Sequence, residues 1–221
     1  MKPTDISHPE YFHKVVDCQY ACPAHTPVPE YIRLIAQGRY DDAYMVNWKS
    51  NVFPGILGRT CDRPCEPACR RGRVEEGNVE MRKPTEHGEP KAEPVAICRL
   101  KRVTADNKSA ANVKPRMPKA PAKTNSKKIA CVGAGPASLT VARDLAPLGY
   151  QVVVFDGDPK PGGFMRTQVP RFRLPEEVID EEVGYILNIG NIDYKGGHRI
   201  ESMKALMKEG YDAIFVGTGA P

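Results

Sequence analysis

The 221-residue sequence has no apolar run that could cross a bilayer; stretches such as Val152 to Phe155 fall far short of the about 20 residues a spanning helix needs. Its start, MKPTDISHPE, lacks the apolar core with basic flank of a secretory leader, so the expected compartment is the cytoplasm, with no membrane span. Seven cysteines are present, yet none stands in a Cys-x2-Cys pair, the usual knuckle of structural zinc. An odd count in a reducing compartment argues against a disulfide framework and leaves metal ligation or redox chemistry as uses for clustered thiols. Aromatic residues make up 7% of the chain, and none falls between Asn107 and Lys128. That segment holds seven basic residues (Lys108, Lys114, Arg116, Lys119, Lys123, Lys127, Lys128) and no acidic one, so the net charge of +5 is local and the rest of the chain is net negative. Without aromatic rings for base stacking, a zinc-containing nucleic-acid binder is the weakest reading, and no nucleic-acid partner is expected. The Pro-, Ala- and Lys-rich composition suits an extended, solvated linker; its rival is a basic tether that docks an acidic partner or a bound nucleotide.

This linker, 107–127, divides the chain into an N-terminal domain, 1–106, and a C-terminal piece, 128–221. A polar excursion over 72–94 interrupts the first domain. Pro29 fits the first turn of a helix with Val28, Ile32 and Ile35 on one face and Gly38 as its stop. A second helix is expected from Asp41 to Ser50 or Asn51, with two aspartates in its first turn. No strand signal occurs here, so this domain is expected to be mostly helical.

Six cysteines flank the helix pair: Cys18 and Cys22 before it, Cys61, Cys65 and Cys69 after it, then Cys98. The i, i+4, i+8 spacing of Cys61, Cys65 and Cys69 could bury small thiols along a helix, but Pro64 and Pro67 break that helix. A loop that turns while aiming several thiolates inward is what an iron–sulfur cluster needs. Zinc remains the rival for four thiolates.

The C-terminal piece opens with Lys128 to Val132, a short apolar strand, then the turn Gly133-Ala134-Gly135-Pro136-Ala137-Ser138, a helix from Leu139 to Leu148, and a second strand, Gln151 to Phe155, ending at Asp156. A G-x-G-x-x turn between two strands, with an acid 23 positions after its first glycine, is the dinucleotide-binding fingerprint. Gly133 permits the tight turn, Gly135 lets backbone approach a pyrophosphate, the helix start offers free N–H groups, and Asp156 would accept from ribose hydroxyls. Cys131, inside the first strand, reads as packing.

The segments CQYACPAHTPVPEYIRLIAQGRYDDAY, GILGRTCDRPCEPAC, PVAICRLKR, ACVGAGPASLTVARDL, KPGGFMRTQVPRFRLPEEVI and GYDAIFVGTGA together resemble the small subunit of NADPH-dependent glutamate synthase and the matching N-terminal region of dihydropyrimidine dehydrogenase. The resemblance implies an α + α/β fold: a helical domain holding two 4Fe-4S clusters, then a Rossmann-like FAD-binding domain of the adrenodoxin-reductase type. It also implies that Gly162, Gly163 and Phe164 approach the FAD and that Arg173 contacts it. With Gly133, Gly135, Pro136, Ala137, Asp156 and Gly219, these form the expected cofactor-binding set.

The chain departs from that pattern in three ways. Glu10 and His13 stand where the family has a further Cys-x2-Cys. Family topology assigns Cys18 and Cys69 to one cluster and Cys22, Cys61 and Cys65 to the other; the first is two ligands short, and His13 is either a helper or a surface histidine. Where the family completes the second cluster with Glu or Gln, this chain has Lys101, whose ammonium cannot ligate a metal. Cys98 lies three residues earlier on the same helical face, so Cys22, Cys61, Cys65 and Cys98 are the expected 4Fe-4S ligands. In the alternative, Cys98 only packs and Cys18 or Cys69 fills the place. Finally, the sequence ends where the family enters its NADPH-binding domain, and no second glycine fingerprint is present. The expectation is a fragment of a longer flavoprotein or a shortened subunit, in which NAD(P)H acts through a missing domain or a partner.

The function expected is electron transfer between FAD and at least one 4Fe-4S cluster within a larger NAD(P)H-linked oxidoreductase, with no catalytic side chain of the protein's own. Expected partners are a larger oxidoreductase subunit, a ferredoxin-like protein or a protein like the glutamate synthase large subunit. The alternative is a docking or scaffold subunit with a structural cluster and an empty flavin domain.

Overall fold

The computed structural model describes residues 16–74, 82–84 and 90–219. Two compact units divide the chain, 1–109 and 110–221.

In the first unit a short helix α1 (Asp17–Ala21) carries Cys18 and ends at Cys22 in extended backbone. Helix α2 (Val28–Ala36) has Pro29 in its first turn. It ends at Gly38, whose φ of 72° lets its N–H reach Ile35 O at 2.9 Å while Arg39 N–H reaches Leu34 O at 2.9 Å. The buried face of α2 is Val28, Tyr31 and Leu34, with Ile32 and Ile35 partly buried beside it. The sequence reading placed that face about one position away, because Tyr31 was not counted as apolar. Its ring is wholly buried and its hydroxyl is satisfied by donating to Ile97 O at 2.9 Å.

Helix α3 (Tyr40–Asn51) opens on Asp41 and Asp42, as expected. Val52, at φ 64°, turns the chain into α4 (Pro54–Thr60), which stops with Cys61 extended. A four-residue turn of helix, α5 (Arg71–Val74), leads into the polar excursion. There the chain forms an antiparallel strand pair, β1 (Arg82–Pro84) and β2 (Pro90–Ala92), where no strand was expected.

Helix α6 (Ile97–Asn107) closes the unit against α4. A Cβ on Gly58 would lie 2.7 Å from Arg102 Cα, so the two backbones touch and glycine is required at the crossing. Arg59 and Arg102 both bond Asp106, at 2.6 and 3.0 Å, tying α4 to α6 a second time.

The second unit begins with α7 (Ala110–Val113) and a 3-10 turn at Lys114–Arg116. The segment expected as extended linker is therefore partly ordered: Val113 and Met117 are buried, and Ala120 N–H and Asn125 N–H donate to Ile189 O and Gly149 O. Its lysines stay at the surface, with Lys128 half-buried; two apolar anchors four residues apart were hidden among the charges.

Strand β3 (Lys128–Val132), helix α8 (Pro136–Leu145), a 3-10 turn at Ala146–Leu148 and β4 (Gln151–Phe155) form the expected βαβ unit. Then follow α9 (Phe164–Thr167), α10 (Glu176–Leu187), β5 (Ile192–Lys195), α11 (Met203–Leu206) and β6 (Ala213–Val216). The sheet is parallel throughout, in the order β5-β4-β3-β6, with Ile129 opposite both Val152 and Ala213. Both faces are covered. Ile129, Cys131, Val152 and Val154 meet Ala142 and Leu145 of α8, while Ala130, Val132, Val153 and Phe155 meet Met203 and Leu206. Cys131 is wholly buried there, and burial alone raises its thiol pKa to about 11. The fingerprint turn sits at the carboxyl ends of β3 and β4, where open α/β sheets bind ligands.

Candidate functional site

The first unit gathers thiols from three separate stretches of chain. The loop from Cys61 to Cys69 is a run of turns, as Pro64 and Pro67 require, with Arg63 at φ 62° reversing the backbone. Arg63 N–H donates to Cys61 Sγ at 3.4 Å. Glu66 fastens this loop to α6 by accepting the Cys98 N–H at 3.0 Å, which occupies an orphan donor in the first turn of that helix. Cys98 is buried, and its thiol points at the end of α4, 3.3 Å from Leu57 O.

The Cys61 and Cys98 thiols share a hydrogen bond, which lowers the pKa of Cys61 and raises that of Cys98. Burial pushes Cys65 up to about 11, against the opposing pull of Lys101, and the charges of Cys61, Glu66 and Cys22 add to the rise. Cys22 itself contacts Thr26 Oγ1 at 3.5 Å. Cys22, Cys61, Cys65 and Cys98 thus lie within one electrostatic neighbourhood. Cys18 and Cys69 neighbour each other: Cys18 is raised chiefly by burial, with the Cys69 charge contributing. All of these cysteines are free thiols. Glu10 and His13 lie outside the described residues. Among the described residues no three Cys, His, Asp or Glu side chains form a group tight enough to grip a single ion.

The second unit has a cleft of about 470 Å³ lined by Gly133 to Ala137, Asp156, Gly163, Phe164, Thr218 and Gly219 among others. Gly133, at φ 96°, has no room for a Cβ because the Gly217 carbonyl stands in the way. A Cβ on Gly163 would come 2.9 Å from Gly135 Cα, so the Gly162-Gly163 loop presses on the glycine turn. A Cβ on Gly135 would meet nothing within 4 Å, which marks the open side of the turn. Helix α8 starts there with no side-chain cap, leaving its first N–H groups for a ligand. Ser138 Oγ is buried without a hydrogen-bond partner just inside that helix start.

Asp156 does more than the sequence suggested. Its Oδ2 accepts Ala134 N–H at 2.5 Å and its Oδ1 accepts Asp158 N–H at 2.9 Å, so this carboxylate staples the turn. Phe164 is half exposed at the rim, whereas Arg173 sits on an exposed turn, its N–H donated to Pro170 O. The sequence reading missed Arg166, whose buried guanidinium joins Pro161 O, Glu176 and Asp180 and so fixes the loop bearing Gly162 and Gly163. A GG-x-x-R spacing was the signal available. A second recess of about 430 Å³ adjoins the cleft across Asp156 and Asp158 and is lined by His198, Arg199 and Met203.

Residues 12–113 match the family model described as dihydropyrimidine dehydrogenase domain II, 4Fe-4S cluster, and residues 131–192 match an NAD(P)-binding Rossmann-like domain. The chain is 34% identical to the beta subunit of the NADP(+)-dependent formate dehydrogenase of Moorella thermoacetica, over 91% of this chain and 29% of that protein. It is 31% identical to the beta subunit of an NADPH-Fe(3+) oxidoreductase of Geobacter sulfurreducens, over 98% of this chain and 31% of that one. It is 30% identical to the glutamate synthase (NADPH) small chain of Escherichia coli, over 91% of this chain and 39% of the relative. These relatives are named as subunits of NADP- or NADPH-linked enzymes, and the chain is similar to each over most of its own length. It spans about a third of the length of the relatives it matches.

By these matches the first unit is a 4Fe-4S cluster domain and the second an NAD(P)-binding Rossmann-like domain. The donor chemistry fits. Sulfur donors from a run of turns and one helix, all of them free thiols, suit iron. The open turn at Gly135 and the uncapped start of α8 likewise fit a pyrophosphate.

Proposed function

We propose that the chain is an electron-transfer module, holding FAD in the glycine-rich cleft and a 4Fe-4S cluster on Cys22, Cys61, Cys65 and Cys98, inside a larger NAD(P)H-linked oxidoreductase. The observation that carries this reading is the convergence of those four thiols, from α1's end, the Cys61 loop and α6, in a chain that also has a complete βαβ fingerprint. FAD accepts electrons in pairs and gives them up singly, while a 4Fe-4S cluster carries one at a time.

The chain's own groups set the conditions. Gly133 and Gly163 let the backbone segments around the turn close up, Gly135 leaves its open side clear for a pyrophosphate, and α8 supplies N–H donors. Asp156 holds the turn and leaves lone pairs for a ribose hydroxyl. Pro136, Ala137, Phe164 and Gly219 wall the cleft. Arg173 stands on the same αβ unit as the candidate flavin contact. Burial of Cys65 and Cys98 keeps water from the sulfurs, which matters for potential and for resistance to oxidation. Cys18 and Cys69, with a further pair of ligands, are the candidate remnant of a second cluster.

With FAD in the Gly133 fingerprint, this reading gives the nicotinamide a site elsewhere in the larger oxidoreductase and assigns the terminal acceptor to a larger partner or a ferredoxin-like protein. No helix among the described residues is long and apolar enough to cross a membrane, and seven free thiols suit a reducing cytoplasm. Purification without oxygen, followed by assay of iron, sulfide and flavin, tests the reading. We expect about four iron atoms and bound FAD per chain, with brown absorption that dithionite bleaches. Zinc without iron, or a colourless protein that also refuses added FAD, would overturn it.

A further inference from the structure

Among the described residues of the first unit, a lysine is buried beside the thiols. Lys101 is 5% exposed, and it follows Cys98 by three residues on α6, which places both on the same helical face. Its ammonium acts on Cys61, Cys65 and Cys98 alike, lowering each thiol's pKa against the rise that burial imposes. Among the described residues no carboxylate pairs with it. Glu66, the nearest acid of the loop, is engaged with the Cys98 N–H and, at 3.7 Å, with Arg63. Arg59 and Arg102, the neighbouring cations of α4 and α6, are both held by Asp106.

An ammonium withdrawn from water without a partner is costly, so a chain that keeps one has an anion for it to meet. Here the nearby groups able to become anions, besides the carboxylates of Asp62 and Glu66, are the thiols. A carboxylate or amide at this position would add a ligand; an ammonium has no lone pair to donate and can contribute only charge and hydrogen bonds.

We propose that Lys101 is a charge-compensating residue that raises the reduction potential of the cluster held on Cys22, Cys61, Cys65 and Cys98. The inference rests on the cluster assignment above. Four thiolates give the bound cluster a net negative charge, and one added electron makes it more negative with no bond made or broken and no proton moved. A fixed buried cation favours the more negative state, and little salt screening reaches it. Lys101 therefore stabilises reduced over oxidised cluster.

The test compares the wild-type chain with K101M, K101Q and K101R, all purified without oxygen, by iron and sulfide content and by a redox titration of the cluster read by electron paramagnetic resonance with electrode-poised mediators. At the wild-type midpoint the oxidised-to-reduced ratio of K101M and K101Q should rise about tenfold, a fall of about 59 mV for one electron, while K101R stays close to wild type. Thermal unfolding of the iron-free forms supplies the control. Without its counter-anions the buried ammonium is a burden, so iron-free K101M should be at least as stable as iron-free wild type.

Wild-type content and midpoint in both neutral variants would overturn the proposal. If a neutral variant fails to hold iron, an iron-free fold as stable as wild type supports charge compensation, and a destabilised fold overturns it in favour of packing. Absence of iron from the wild-type chain would overturn the cluster assignment and this inference with it, and iron analysis reads that failure separately from a null shift.

Discussion

Cys98 separates the ligand role from the packing role most cleanly at the scale of single residues. It is as buried as an ordinary core cysteine, yet its thiol lies 3.3 Å from Leu57 O and 3.6 Å from Gly58 O, so its surroundings are polar. Cys131 is buried too, but hydrocarbon from α8 and the neighbouring strands surrounds it. Cys98→Ser should bring iron and sulfide per chain down to near background, whereas Cys131→Ser should keep the wild-type content even if its strand loses some stability. Equal iron in the two variants would show that Cys98 only packs and that another cysteine completes the set. Residue types and spacing were enough to single out these thiols and the glycines of the turn. They could not show that Asp156 is already bonded to Ala134 N–H, or that Arg166 locks the Gly162-Gly163 loop, because both depend on partners that only the folded chain supplies.

Helices α4 and α6 are the elements that aim two of the proposed cluster ligands, since Cys61 follows one and Cys98 lies in the first turn of the other. Their contact at Gly58 leaves no space for a methyl group, so Gly58→Ala should destabilise the unit by about 1–3 kcal/mol in denaturant unfolding and weaken iron retention. Unchanged stability with unchanged iron would mean that the crossing does not set the ligand geometry. The Arg59–Asp106–Arg102 cluster is the second tie. Partial burial works against the Asp106 charge, but bonds to Arg59 and Arg102 outweigh it and hold its carboxyl below the usual carboxylate range. A depressed carboxyl pKa stabilises the fold above the unfolded value, about 3.9, and that stability is lost as pH falls through the folded value. Asp106→Asn should therefore be less stable than wild type near neutral pH, and the two should converge in acid unfolding below about pH 3. The βαβ element was legible nearly to the residue, because a glycine turn between two apolar runs has few other uses. Helix α4 was not, since Gly55, Gly58 and Pro54 in seven residues mask its pattern, and one buried tyrosine turned the face of α2. The order in 110–125 escaped because two apolar anchors are weak against a run of lysines.

For the whole molecule, the fold explains why two cofactor chemistries share a chain. A small helical unit gains from a cluster that cross-links its turns, and a parallel sheet buried on both faces offers a rigid cleft at its carboxyl edge. The account stands on movement of electrons. The most direct measurement reduces the bound flavin of the anaerobic full chain with light and follows the iron–sulfur resonance signal at the same time. The account predicts that the cluster signal grows as the flavin band bleaches and returns the electron when an external acceptor is added. A bleached flavin beside a cluster that stays oxidised, at potentials where dithionite reduces it, would contradict the account.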